Sequence, residues 1–198
     1  MPLYPKPLFQ LIQLLKKLPG VGQKSAERYA FQLLEWKPAE LKQLGFQLSQ
    51  LKELISSCTE CGALKEFNCS YCSNESRSNG TLCIVSNPKD IFAIEETKIF
   101  NGLYYVLPHL LTPFEEHFEE QVNLKGILSF IEKNKVKEII LALESTLEGD
   151  ATALFLKEKL HTEGLNLSRL AHGIPLGSTL EFIDGGTLSK ALIGRQSF

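Results

Sequence analysis

Apolar positions along the chain change their period near residue 80. Leu8, Leu11, Ile12, Leu15 and Leu18 recur at helical spacing after Pro7, a residue suited to helix entry, and the pattern stops at Pro19-Gly20-Val21-Gly22. A second helix is predicted from about residue 23 to residue 36, with Ala26, Tyr29, Ala30 and Leu33 on its inner face and Pro38 ending it. Helical turns continue through Leu41, Leu44, Leu48, Leu51 and Ile55. Beyond that point short apolar runs alternate with amphipathic stretches. Strands are predicted over 81–86, 103–107 and 136–143, and helices over 88–98, 124–134 and 148–160. Such alternation implies a small α/β sheet that is parallel or mostly parallel.

With 198 residues and 43% hydrophobic content, the chain can bury a real core and divide into two or three modules. The net charge of -2 conceals an asymmetry: residues 1–57 carry eight Lys and Arg against four Glu, and the remainder carries 13 against 19 acidic residues. The basic front is therefore the candidate surface for an anionic partner. No apolar run reaches membrane-spanning length and MPLYPKPLFQ has no apolar signal core, so a cytoplasmic location is expected.

Between front and back stand two CxxC units, Cys58 with Cys61 and Cys69 with Cys72, separated by the seven residues 62–68. Each unit brings two thiolates to one ion through a tight turn, and the intervening chain is long enough to reverse, so the pattern points to one tetrahedral zinc. Disulfides require an oxidising compartment, and a redox CxxC usually stands alone at a helix start. Four thiolates leave no open position for water, so the expected role is structural. Cys83 lies outside the pattern in an apolar run and reads as a core thiol.

Two further features carry candidate chemistry. In Leu-Pro-Gly-Val-Gly at 18–22, Gly20 and Gly22 permit a tight turn and close backbone approach, the next helix offers free N–H groups, and Lys24 and Arg28 lie one turn apart on it. That combination suits a phosphate backbone and positions nucleic acid without reading its sequence. The alternative is a plain helical hairpin with solvated Lys and Arg. At the strand ends, Asp90, Glu144, Glu148 and Asp150 fall where open sheets place ligand sites. Glu148 and Asp150 could share a magnesium ion, or could be helix-start carboxylates favoured by the dipole. The acidic run Glu115, Glu116, Glu119 and Glu120 reads as a solvated face, and His109, His117 and His161 are isolated.

LPGVGQKSAERYAF, the four cysteines, YCSN at 71–74, LEGDATA at 147–153 and AHGIPLG at 171–177 together resemble the RecR family of bacterial recombination mediators, in order over nearly the whole chain. The resemblance implies a helix-hairpin-helix over 1–57, a four-cysteine zinc finger over 58–78, a Toprim-like domain over 79–174 and a C-terminal segment over 175–198 that serves oligomer contacts. It also implies a tetrameric ring on DNA, partnership with RecO or RecF, and help in loading RecA onto single-stranded DNA coated by SSB. Carried over by position, DNA contacts fall on Lys24 and Arg28 and zinc ligands on Cys58, Cys61, Cys69 and Cys72. Glu148 and Asp150 match the second acidic motif of Toprim domains. Ser86, however, stands where those domains place a glutamate, which weakens the magnesium site. His172 reads as a hydrogen-bonded structural residue. The expected function is a DNA-binding scaffold for recombinational repair and no enzyme. Two rivals are a Toprim-type magnesium-dependent nuclease or primase and a zinc-stapled interaction module without DNA affinity.

Overall fold

A computed structural model describes residues 4–112, 118–161, 164–171 and 173–195, with the side chains of Phe118 and Glu119 excepted. Two compact units emerge, Met1–Leu54 and Ile55–Phe198.

The first unit is helical: α1 (Lys6–Leu15), α2 (Gln23–Leu34) and α3 (Pro38–Leu54). Ile12 of α1 is fully buried against Ala26 and Ala30 of α2, with Tyr4, Leu8, Leu11, Leu15 and Val21 packed around them. Two alanines at that crossing let the helices approach closely, and burying Ile12 contributes about 2 kcal/mol. Tyr29 departs from expectation. It is 41% exposed, because Ala26 and Ala30 already occupy the inward stripe and position 29 points about 100° away from Ala30. Pro38 does not merely end a helix; it opens α3, which has no buried residue of its own.

In the second unit β1 (Ser56–Ser57) and β2 (Leu64–Lys65) form a short antiparallel ladder. The chain then builds β3 (Thr81–Val85), α4 (Pro88–Glu96), β4 (Leu103–Val106), α5 (Phe118–Gln121), α6 (Leu124–Lys133), β5 (Glu138–Ala142), α7 (Leu147–Lys159), β6 (Asn166–Arg169) and α8 (Gly185–Ile193). The four longer strands make one sheet of order β4-β3-β5-β6, parallel throughout. β3 and β4 are almost wholly buried, as a parallel sheet covered by helices requires, which is why their sequences read as continuous apolar runs. β6 is an edge strand of alternating exposure with only Leu167 apolar among Asn166, Ser168 and Arg169, and the hydrophobic pattern does not announce it. No helix among the described residues is long and apolar enough to cross a membrane.

Candidate functional site

The four cysteines of the double CxxC converge. The Sγ atoms of Cys58, Cys61, Cys69 and Cys72 all lie within 4.8 Å of one another, with Cys58 to Cys72 at 3.6 Å and Cys61 to Cys69 at 3.5 Å. A tetrahedral ion with bonds of about 2.3 Å to sulfur needs sulfur–sulfur edges of about 3.8 Å, so the donor set fits zinc in both number and spacing. The β1–β2 ladder sets the first knuckle: Cys58 N–H donates to Ala63 O at 2.7 Å and Gly62 N–H to Cys58 O at 2.9 Å. Gly62 has φ +75°, and a Cβ there would meet Val106 Cβ at 2.9 Å, so turn and packing both call for glycine. Burial opposes ionisation of Cys58, yet the N–H groups of Cys61 and Glu60 outweigh it and hold its thiol down at about 7. Burial pushes Cys61 up, and burial with the neighbouring thiols pushes Cys72 up to about 12. A metal-free cluster therefore keeps protons that an incoming cation must displace.

The knuckle is joined to the sheet rather than suspended from it. Val106 N–H of β4 donates to Cys61 O at 2.8 Å. Arg77, largely buried, donates from Nε to Gly102 O at 2.9 Å and pairs with Glu95 of α4 at 2.6 Å, its guanidinium lying 5.3 Å from the Tyr71 ring and 5.4 Å from the Tyr104 ring. The Tyr104 hydroxyl donates to the same carboxylate at 2.6 Å. Sequence reasoning missed Arg77, since an arginine in a polar loop carries no periodic signal. Cys83, as expected, is a core residue of β3, and burial pushes its thiol up to about 12.

In the helical unit Gly20 has φ +77°, and Val21 N–H closes the turn onto Leu18 O at 3.1 Å. Gly22 is the N-cap of α2 in extended conformation, with no side chain capping the first N–H groups. A Cβ at either glycine would meet nothing within 4 Å, so the backbone is open to an approaching group. Lys24 and Arg28 are both exposed on the helix that follows, and the Arg28 guanidinium lies 5.3 Å from the Tyr29 ring.

The carboxylates at the sheet's C-terminal edge are not gathered. Asp90 closes a capping box at the start of α4, its Oδ2 accepting from Asn87 N–H at 3.0 Å and from the Ser86 hydroxyl at 3.3 Å. Asp150 is ion-paired through both oxygens, Oδ1 to Arg169 Nη2 at 2.5 Å and Oδ2 to Lys190 Nζ at 3.2 Å. The Arg169 guanidinium, joined by Lys190, holds the Asp150 carboxyl below its ordinary value. Glu144 and Glu148 are exposed. Among the described residues, only the four cysteines form a group of three or more His, Cys, Asp or Glu side chains close enough to share an ion. Other parts of LEGDATA have structural work. A Cβ on Gly149 would stand 2.0 Å from Glu144 O, and the buried Thr152 hydroxyl donates to Glu148 O at 2.6 Å while accepting from Leu111 N–H at 2.8 Å. Glu115, Glu116, His117 and His172 lie outside the described residues, as does the side chain of Glu119.

Comparison with known proteins matches residues 8–52 to the helix-hairpin-helix of RecR, residues 80–171 to a Toprim domain and residues 173–196 to the C-terminal region of RecR. The chain is 45% identical over 196 residues to a recombination protein RecR of Protochlamydia amoebophila, covering 98% of this chain and 99% of that one. The chain belongs to the RecR family. Similar RecR proteins of Chlamydia caviae and Chlamydia trachomatis serovar L2 are 47% and 44% identical over 198 residues, each match covering 98% of both chains. The family resemblance read from the motifs is thus borne out. So is the fold class: a RecR helix-hairpin-helix, a four-cysteine cluster able to hold a metal, and a Toprim α/β domain on a parallel sheet.

Proposed function

We propose that this chain is a DNA-binding recombination mediator in recombinational repair. In this reading residues 1–57 bind DNA, 58–78 form a zinc finger, 79–174 form a Toprim platform for partners, and 175–198 make oligomer contacts. The observation that carries it is the open glycine turn of the helical unit: uncapped N–H groups at the start of α2 sit beside exposed Lys24 and Arg28, one turn apart, in a segment matched to the RecR helix-hairpin-helix. A phosphate diester can approach the turn without meeting a side chain and be held by two cations, with no base edge read. Zinc is the ion we assign to Cys58, Cys61, Cys69 and Cys72. When bound it supplies a structural cross-link, and a closed shell of thiolates activates no water.

The relatives' shared name, recombination protein RecR, supports a role in recombinational repair. Family membership further supports a homotetrameric ring on DNA, acting with RecO or RecF to help place RecA on SSB-coated single strands in the cytoplasm. The platform works by assembly and not by phosphoryl transfer, because Ser86 offers no charge and Asp90 is committed to the α4 cap.

The test is a double change, Lys24→Ala with Arg28→Ala, followed by fluorescence anisotropy on unrelated DNA sequences across a salt titration. The expected result is weaker binding to every sequence and a salt dependence shallower by about two counterions. Wild-type affinity throughout the titration would place the DNA surface elsewhere.

A further inference from the structure

The C-terminal segment 173–195 is joined to the α/β body by an ion pair, Lys190 with Asp150. Its described backbone hydrogen bonds stay local: Ser178 N–H to Pro175 O, Phe182 N–H to Thr179 O, Leu188 N–H to Asp184 O. The side chains of Asp184 and Arg195 likewise bond within the segment. Among the described hydrogen bonds, one alone leaves it, from Lys190 Nζ to Asp150 Oδ2 at 3.2 Å. No residue of α8 is buried. Leu188 and Ala191 are only half-buried, and beside the helix lies a cleft of about 450 Å³, with Ser145 and Ala171 from the sheet side and Asp184, Thr187 and Lys190 from the helix side.

The carboxylate that receives Lys190 is also the one whose other oxygen takes Arg169, the last residue of β6. Two cations thus stand around one anion at the position where a Toprim sheet would present a magnesium ligand. Magnesium demands near-octahedral oxygen ligation and is held by at least one or two free carboxylates. Here an entering ion would have to displace both Arg169 and Lys190. Asp90 is already bound by Asn87 N–H and Ser86, and among the described residues Asp150 belongs to no group of three or more acids, histidines or cysteines close enough to share an ion.

We propose that Asp150 is the anchor of an electrostatic latch that holds helix α8 to the end of the sheet, with Arg169 and Lys190 taking the place of a divalent cation. Arg169 takes one oxygen of the carboxylate and Lys190, from α8, takes the other. The latch is independent of DNA binding by the helical unit, but it concerns the segment to which the functional reading gives oligomer contacts, so subunit number is measured by native mass spectrometry alongside exchange to keep the two apart.

Hydrogen–deuterium exchange on the full-length, zinc-loaded chain tests it. Lys190→Glu places like charges together and leaves the Asp150–Arg169 pair in place. Amides of 185–193 should exchange roughly fivefold faster or more in this variant, the loss expected of one partly exposed ion pair turned repulsive, while those of 81–106 and of α7 hold their wild-type rates. Asp150→Asn should have the same effect on 185–193. Magnesium chloride at constant ionic strength should leave exchange in 185–193 unchanged in the wild type, and calorimetry should detect no tight magnesium site. Unaltered exchange of 185–193 in Lys190→Glu would overturn the latch. So would a sub-millimolar magnesium site that disappears in Asp150→Asn.

Discussion

The helical unit and the α/β unit solve the problem of a small core in opposite ways. In the first, Ile12, Ala26 and Ala30 are the only fully buried side chains among the described residues, and α3 buries none. In the second, a four-stranded sheet, its helices and the cysteine cluster share one continuous core, which includes Cys58, Cys61 and Cys69 alongside Leu82, Ile84 and Tyr104. A metal held by the cysteines would therefore form part of a wall of the sheet's core, whereas the glycine turn at 18–22 stands largely open, with nothing within 4 Å of a Cβ built at Gly20 or Gly22. The difference teaches where substitutions are costly: where backbone and side chains of several elements meet, and much less where a turn stands in open solvent.

The largest effect should come from the metal. Cys61→Ser removes a buried ligand and should lower the unfolding free energy of the α/β unit by about 4 kcal/mol or more, with loss of stoichiometric zinc. Exchange of α1 and α2 amides should remain at wild-type rates. Full zinc content with an unshifted melting curve would sink both the assignment and the contrast between units.

Two glycines sharpen the comparison further. Gly149→Ala brings a Cβ to within 2.0 Å of Glu144 O, a backbone atom that cannot swing aside, and should cost about 3 kcal/mol by urea denaturation. Gly20→Ala meets open space and suffers only the left-handed backbone penalty, about 1 kcal/mol, in the helical unit. Equal costs at the two positions would contradict the account of how each unit is held.

Much of this was readable in the residues themselves, for physical reasons that differ by element. Ligand spacing dictates the cysteine cluster, because two CxxC turns have few other uses. β3, β4 and β5 announce themselves as buried apolar runs, and each predicted strand begins or ends within two residues of the observed one. β6 stayed hidden because an edge strand with one apolar residue has no period to detect, and with it went Arg169. The partners of Asp150 were hidden for the same reason: charge pairing with Lys190 across 40 residues leaves no local trace. Tyr29 was misplaced because a 3.6-residue period cannot say which of two neighbouring positions the opposing helix reaches.

The joint between knuckle and sheet has one more consequence, in the solubility of the chain. β4 is an edge strand, and its four residues are all buried, from Tyr104 at 0% to Val106 at 9% exposed. An uncovered edge of that kind is a template for pairing with other chains. Here the polar segment meets the strand's far end, with Cys61 O on Val106 N–H, and holds the residues just before it, with Arg77 on Gly102 O and Asn79 on Asn101 O. Stripping a metal held by these cysteines would therefore loosen the guard on a buried edge strand, and chelation should be seen first as concentration-dependent precipitation, ahead of any loss of helix.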